Sequence, residues 1–329
     1  MKPKVSAIVT IYNRESYLEQ CARSLFSQTL GEIEYIFVDD ASTDRSVEVL
    51  RRVVQEYPHR EAAIKIIELG QNGGVSNARR TGMSYVTGDY VIHTDSDDWI
   101  DPDMFEQLYQ TAMNTGADIV GCDISHEYPN RKSSVLHQHY ASTIHENISR
   151  LIVGDIHPSL CTSLTKTALI TDNNIIFPDG LNMGEDLFYN LQLYLHATNI
   201  VGIDSAPYHY RHTPASSSYH HTRETIDSGI EIGRKLEELL RNAKRYDEFR
   251  DEITYRKFSL KQSLIQNFDN REDYLYWLTV FPETHQSIWK FKRIDKKLRL
   301  ELWLSAHHMF PVAQAVRRFL KWQHQLKQH

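Results

Sequence analysis

Two carboxylates separated by one residue, Asp95-Ser96-Asp97, stand directly behind the apolar run Tyr90-Val91-Ile92-His93-Thr94. A strand ending in such a pair holds two hard oxygen ligands at the rim of a rigid, buried element. Mg²⁺ or Mn²⁺ suits that position, because both cations combine carboxylates with substrate phosphates and leave coordination sites for a diphosphate. The same residues also suit a plainer role, in which Asp97 or Asp98, ahead of Trp99-Ile100-Asp101-Pro102, caps a following helix. A second acidic pair, Glu185-Asp186, opens the helical pattern Leu187–Leu195. A carboxylate there can take a proton from an attacking hydroxyl, and it also complements the positive end of a helix.

The elements that must position these groups are legible around them. Val5–Ile11, Tyr35–Asp39, Ile64–Glu68, Tyr90–Thr94 and Ile119–Cys122 read as strands. Helical patterns lie between them, which predicts an α/β, doubly wound, mostly parallel sheet. Ser16-x-x-Glu19 has the form of a capping box, and Leu18, Cys21, Ala22, Leu25 and Phe26 give the next helix one apolar face. Ligands of such sheets bind beyond the carboxyl ends of the strands. Four polar loops fall there: Thr10-Ile11-Tyr12-Asn13, Asp39-Asp40-Ala41-Ser42, Gly70 to Gly74, and Asp95 to Asp98.

From Glu127 to Thr213 the pattern is irregular, with a helix starting near Asp186 and a short strand near Tyr208–Tyr210; this is the expected acceptor side of the site. Beyond Thr222 the chain becomes helical, as in Ile226–Ala243 with Leu236, Leu239 and Leu240 on one stripe. The expected organisation is therefore a first domain over 1–221, in halves 1–125 and 126–221. A helical, basic region over 222–329 follows it.

Apolar residues make up 41% and charged residues 24% of the 329, which fits a folded globular chain and excludes a disordered or fibrous one. Three scattered cysteines without CxxC spacing argue against a disulfide framework or a zinc site and for a reducing, cytoplasmic setting. The start, Met1-Lys2-Pro3-Lys4-Val5, lacks the form of a signal peptide, and no stretch has the apolar length of a membrane span. The net charge of −6 hides an asymmetry: residues 1–221 hold 16 Lys+Arg against 28 Asp+Glu, and 222–329 hold 21 against 15. Ten of those cations and only two acids lie from Lys290 onward. Trp289–Leu300 and Phe310–Trp322 interleave cations with aromatic and aliphatic residues. Residues 289–329 are thus expected to meet an anionic membrane surface from the inner face, rather than nucleic acid. A solvated basic helix is the competing reading. The pairs His220-His221 and His307-His308 read as surface residues.

Five segments in order carry a resemblance: Val9-Thr10-Ile11-Tyr12-Asn13-Arg14; Val38-Asp39-Asp40-Ala41-Ser42-Thr43-Asp44; Asn72-Gly73-Gly74-Val75-Ser76-Asn77-Ala78-Arg79-Arg80-Thr81-Gly82; Asp95-Ser96-Asp97-Asp98-Trp99; and Gly184-Glu185-Asp186-Leu187. Over residues 4–215 the chain resembles a family 2 glycosyltransferase with the GT-A fold. By that resemblance, residues 1–221 would be a catalytic domain, with a nucleotide-binding half (1–125) and an acceptor-side half (126–221). The resemblance implies a nucleotide-sugar donor, a UDP-sugar above others, and an acceptor hydroxyl on a glycan or a lipid-linked glycan. It implies that Thr10, Tyr12 and Asn13 wall the nucleotide pocket and that a carboxylate of Asp39-Asp40 accepts the N3–H of uracil. Arg79 would approach the diphosphate or ribose, Asp95 and Ser96 the nucleoside, and Asp97 the metal. Asp186 would be the base, with Glu185 as competitor. His209 would complete the metal shell and Arg211 bind phosphate, although packing suits a lone His in Tyr208-His209-Tyr210-Arg211 as well. Arg80 departs from the family pattern, where Asn frequently follows the Ala-Arg pair. The implied reaction is an inverting transfer in cell-surface polysaccharide synthesis. A sugar-1-phosphate nucleotidyltransferase lacks its glycine-rich loop here, and a non-catalytic glycan-binding scaffold is opposed by the intact acids.

Overall fold

The structure, a computed structural model, describes residues 2–178, 184–213, 223–266 and 271–326. His220-His221 and the segment expected to join the two domains lie outside the described residues. The chain divides into two compact units, Met1–His220 and His221–His329.

The first unit is built on β1 (Val5–Ile11), β2 (Ile33–Asp39), β3 (Ile64–Glu68), β4 (Tyr90–Asp95), β5 (Trp99–Ile100), β6 (Ile119–Glu127), β7 (Ser134–Leu136), β8 (Ser163–Lys166) and β9 (Ile200–Arg211). Between them run α1 (Leu18–Phe26), α2 (Ser46–Gln55), α3 (Val75–Met83), α4 (Met104–Thr115), α5 (Ile144–Val153), α6 (Thr167–Asp172) and α7 (Glu185–His196). The strand order is β3-β2-β1-β4-β8-β6-β9-β5, with β7 beside β6. The four strands β3, β2, β1 and β4 are mutually parallel, as are β6 and β9. Strand β8 runs antiparallel to both β4 and β6, and β5 runs antiparallel to β9. The sheet is mostly parallel, as expected, with β8 reversed at its centre.

Alternation along β1 separates two layers. Val5, Ala7, Val9 and Ile11 join Leu18, Cys21, Ala22, Leu25, Phe26, Leu50 and Val53 in one buried cluster. On the other face α3 lies against β1, and Gly82 permits the approach: a Cβ there would sit 2.6 Å from the Ile8 side chain. The apolar face of α1 is thus the expected one. The capping box does not form, because Tyr17 is the N-cap residue and makes no side-chain cap bond. Glu19 instead pairs with Arg23 and Arg52. The helix-cap reading of Asp97 and Asp98 is also replaced, since Trp99-Ile100 is strand and α4 begins only at Met104.

Register brings the strand ends into line: Thr10 is level with Asp95, and Ile11 with Asp39. At the opposite end of the sheet the buried Glu34 accepts hydrogen bonds from Ser6 Oγ (2.6 Å), Thr87 N (2.6 Å), Thr87 Oγ1 (2.9 Å) and Gly88 N (3.1 Å), and pairs with Lys65 (3.0 Å). One carboxylate therefore locks β1, β2, β3 and the turn into β4.

The second unit contains α8 (Arg223–Asn242), α9 (Arg250–Gln266), α10 (Arg271–Thr279), a 3-10 segment (Pro282–Lys290), α11 (Lys296–Ala306) and α12 (Phe310–Leu326). Its core includes Ile226, Ile230, Phe258, Trp277, Phe281, Ile288 and Leu302. Lys261 is wholly buried there and is satisfied: its Nζ donates to Val280 O (2.7 Å) and Phe281 O (3.2 Å) and meets His285 Nε2 at 2.7 Å. Among the described residues no helix is long and apolar enough to cross a membrane.

Burial raises the Glu34 pKa, but its hydrogen bonds outweigh burial and the net shift is downward. A depressed folded-state value means stability that is present above the unfolded pKa and lost as pH falls through the folded one. Replacing Glu34 by Gln is expected to lower unfolding free energy by about 1–3 kcal/mol at neutral pH. The deficit should shrink on acidification, as read by urea denaturation at several pH values; a deficit independent of pH would contradict the assignment.

Candidate active site

A cleft of ≈ 440 Å³ opens at the carboxyl ends of β1, β2 and β4, lined by Thr10, Ile11, Tyr12, Arg14, Asp40, Asn72, Gly74, Val75, Ala78, Arg79, Asp95, Ser96, Asp97, Glu185, Asp186 and Tyr210. Loops expected to converge do so, and α7, far downstream in the chain, supplies its first two residues.

Arg79 is the hub. It lies on α3, is 3% exposed, and its guanidinium donates to Asp95 Oδ1 (3.3 Å), Glu185 Oε1 (3.1 Å) and Asp186 Oδ1. Phe177 covers it at 5.8 Å and is itself stacked on Tyr189 at 3.9 Å between ring centroids. One cation shared among three carboxylates leaves negative charge over. Burial raises the Asp186 pKa, Arg79 opposes that rise, and the charges of Glu185 and Asp95 add to it, with a net upward shift. Asp97 is raised as well, by burial and then by Asp95, with Arg14 opposing.

The Asp95–Asp98 turn is held from β9. Tyr208 donates to Asp98 Oδ2 (2.5 Å), and Arg211 donates through its backbone N to Asp98 Oδ1 (2.8 Å) and through Nε to Asp97 O (2.8 Å). Asp98 is buried, and burial together with Asp95 and Asp97 pushes its pKa well up. The guanidinium of Arg211 lies over Trp99 at 4.4 Å and Tyr17 at 5.3 Å and donates to Gln20. Arg211 is therefore a brace of the acidic turn in this arrangement, rather than a phosphate ligand.

His209 departs further from its expected role in a metal shell. It stacks on Trp99 (5.0 Å, 4° between planes), and both ring nitrogens face carboxylates, Nδ1 to Glu127 (2.9 Å) and Nε2 to Asp101 (3.1 Å). Neither nitrogen is left to ligate. Packing, the competing reading of this residue, is what the geometry shows.

Asn13, expected in the pocket wall, adopts φ 52° and binds the neighbouring loop: its Oδ1 accepts from Thr43 N (2.8 Å), and its N donates to Ser42 Oγ (3.0 Å). It shapes the wall that Thr10 and Tyr12 line. The acidic pair at the end of β2 is divided. Asp40 accepts from Gly73 N and Gly74 N, both at 2.8 Å, so the amides ahead of α3 serve the protein's own carboxylate. Asp39 accepts from Ser42 N through Oδ2 (3.1 Å), and its buried Oδ1 has no hydrogen-bond partner among the described residues.

Arg14 and Tyr210 also line the cleft, and the sequence assigned neither a role. Arg14 reaches Asp97 Oδ2 through Nε at 3.3 Å, and its place directly after Asn13 was the signal available. Tyr210 lies two residues from Tyr208 on β9, so strand alternation gives them a common face.

An open α/β sheet with polar loops gathered at the carboxyl ends of its central strands places the chain among proteins that bind ligands at that edge. The chain belongs to glycosyl transferase family 2, which it matches over residues 6–171, half of its length. The uncharacterized glycosyltransferase EpsJ of Bacillus subtilis (strain 168) is 33% identical over 227 residues, covering 66% of this chain and 63% of EpsJ. The poly(ribitol-phosphate) beta-N-acetylglucosaminyltransferase TarS of Staphylococcus aureus (strain Mu50) is 28% identical over 210 residues, covering 63% of this chain and 35% of TarS. The chain thus spans less than two thirds of either relative's length. The crystal structure of S. aureus TarS 1-349 in complex with UDP-GlcNAc matches with a TM-score of 0.74 at 21% identity, over 97% of this chain and 92% of that one. That likeness fixes the fold as GT-A, with a helical C-terminal part.

Replacing Arg79 by Gln leaves Asp95, Glu185 and Asp186 without their shared cation. Unfolding free energy at neutral pH is expected to drop by about 3–5 kcal/mol. The loss should be smaller near pH 5, where the raised Asp186 carboxyl can take up a proton; guanidinium denaturation at the two pH values measures this. A loss that grows on acidification would contradict the charge argument.

Proposed function

We propose that this chain transfers a sugar from a nucleotide-sugar, with a UDP-sugar as the donor that fits best, to a hydroxyl of a glycan or lipid-linked acceptor in bacterial surface-polysaccharide synthesis. The observation that carries the reading is the buried guanidinium of Arg79, which gathers Asp95, Glu185 and Asp186 on one side of a single cleft. The buried Asp39 Oδ1, at the end of β2 and without a hydrogen-bond partner among the described residues, supports a uridine donor, since it is an acceptor that an imide N–H would satisfy. The UDP-GlcNAc named for the TarS structure supports the same donor class. Membership of the transferase family sets aside the nucleotidyltransferase reading.

Asp186 is the assigned base. It takes the proton of the acceptor hydroxyl while that oxygen bonds to the anomeric carbon, and the bond from that carbon to the diphosphate oxygen breaks on the opposite face. Such in-line displacement inverts the anomeric configuration. A carboxylate whose pKa is raised is a stronger base than a free one, and burial, with the charges of Glu185 and Asp95 adding to it, supplies that rise. Arg79 keeps Asp186 oriented.

Among the described residues no three or more His, Cys, Asp or Glu side chains are placed together as a chelating set. A divalent cation would therefore rest on Asp97, with Asp95 beside it, and take its other ligands from the diphosphate and water, as Mg²⁺ and Mn²⁺ do. The surplus of carboxylates that raises Asp97 and Asp98 fits an added cation. When bound, it would stabilise charge on the departing diphosphate.

Calorimetry of UDP with Mn²⁺ present tests the donor site, and binding is expected. Asp186→Asn should retain that binding and lose about 10²–10⁴-fold in transfer rate. The wild-type rate should rise with pH along a limb above the ordinary aspartate range, because the deprotonated base is required and its pKa is raised. Near-normal turnover in Asp186→Asn with a defect in Glu185→Gln would transfer the assignment to Glu185. A chain that binds no nucleoside diphosphate would instead be a scaffold.

A membrane surface is the second element of the reading. On α12 the residues Val312, Phe319 and Trp322 are exposed at positions i, i+7 and i+10, and Arg318 is exposed among them, while Ala313 is buried and Arg317 pairs with Glu301. An apolar stripe with cations in a basic segment suits an anionic lipid interface. Phe319→Ser with Trp322→Ser is expected to cut co-sedimentation with phosphatidylglycerol vesicles several-fold; undiminished binding would sink the membrane assignment.

A further inference from the structure

Asp97, the carboxylate assigned to a divalent cation, already has a cation against it. The Arg14 Nε lies 3.3 Å from Asp97 Oδ2. Arg14 is anchored from behind: its Nη1 donates to Tyr12 O (3.2 Å) and Asn13 O (3.1 Å), and its backbone N donates to Ser46 Oγ (2.7 Å). Arg211, a second guanidinium at this turn, directs its Nε hydrogen bond to the backbone oxygen of Asp97. Arg14 also lines the cleft and is 39% exposed along its side chain, so its guanidinium can turn into the cleft once the two carbonyl contacts of Nη1 are given up.

We propose that Arg14 is a resident counter-cation that couples metal binding to nucleotide binding, holding Asp97 until a diphosphate arrives and then passing to the phosphate oxygens. The inference rests on the reading of the cleft as a site for a nucleoside diphosphate and a divalent cation. A cation approaching Asp97 alone meets a positive group on the same carboxylate and must displace it without compensation. A diphosphate in the cleft gives the guanidinium a bidentate acceptor of better geometry, and Asp97 is released. Coupling of this kind is reciprocal, so the cation must strengthen nucleotide binding by the same factor. Arg14 is a positioning residue in this scheme; it forms no bond to the reacting atoms.

The test is calorimetry on the full chain with Mn²⁺ alone, UDP alone, and Mn²⁺ at saturating UDP, for wild type, Arg14→Gln and Arg14→Lys. Removing a partly exposed partner of Asp97 should tighten binding of Mn²⁺ alone by about three- to tenfold. Arg14→Gln should at the same time weaken UDP alone, so that the gain in Mn²⁺ affinity produced by UDP shrinks. Arg14→Lys should keep most of the wild-type coupling. A tighter metal site cannot come from a damaged fold, which separates this role from a structural one. If wild type binds UDP with Mn²⁺ but Arg14→Gln binds Mn²⁺ alone no better, the counter-cation role is overturned and the donor site stands. If wild type binds no UDP with Mn²⁺ present, the donor reading falls and the coupling falls with it.

Discussion

The candidate site depends on a charge imbalance organised around one buried side chain. Arg79 is nearly inaccessible to water and is shared by Asp95, Glu185 and Asp186. An isolated guanidinium in that position would be costly to bury, and three neighbouring carboxylates without it would repel one another. The arrangement is stable only as a set, and the set draws together the end of β4, the first turn of α7 and the buried face of α3. Burial raises the Asp186 pKa, and because one positive charge cannot neutralise three negative ones, Glu185 and Asp95 add to that rise while Arg79 opposes it. Arg79 thus holds the set together and limits how far that carboxyl is raised.

The same logic extends to the acidic turn. Asp97 and Asp98 both lie near Asp95, and both are pushed up by burial and by that neighbour. The fold contains the resulting strain by using Asp98 as an acceptor for Tyr208 and the Arg211 amide. Asp97 faces the cleft with Arg14 paired to its carboxylate. The cleft lining thus combines five carboxylate residues with the guanidiniums of Arg14 and Arg79.

Support residues account for much of what surrounds the reacting groups. Asp40 immobilises the Gly73-Gly74 loop and Asn13 ties two loops together. His209 and Arg211 both pack on Trp99, the one by stacking and the other by cation–π contact. These residues touch no reacting atom in the proposed reaction, yet each fixes the backbone from which a lining side chain projects. Precision at the cleft therefore comes from polar groups whose hydrogen bonds are spent within the protein.

The sequence alone determined the strands β1 and β3 to the residue, the buried face of α1, the parallel order of the first half of the sheet and the loops that meet at its edge. Those features follow from period and from position after a strand, which are local properties of the chain. It also named both acids of α7, because its ordered motifs carried a family resemblance. Only the tertiary structure decided how each polar group is used. Glu19 could cap α1 or pair with Arg23 and Arg52, and the neighbouring α2 made pairing available. His209 could ligate or pack, and carboxylates from β6 and the β5–α4 turn took both its nitrogens. Arg79, expected to approach the diphosphate or ribose, lines the cleft and there binds three carboxylates, two of them more than a hundred residues away. A polar side chain is directed by whichever partner reaches it first in space, and that distance is set by the packed fold rather than by spacing along the chain.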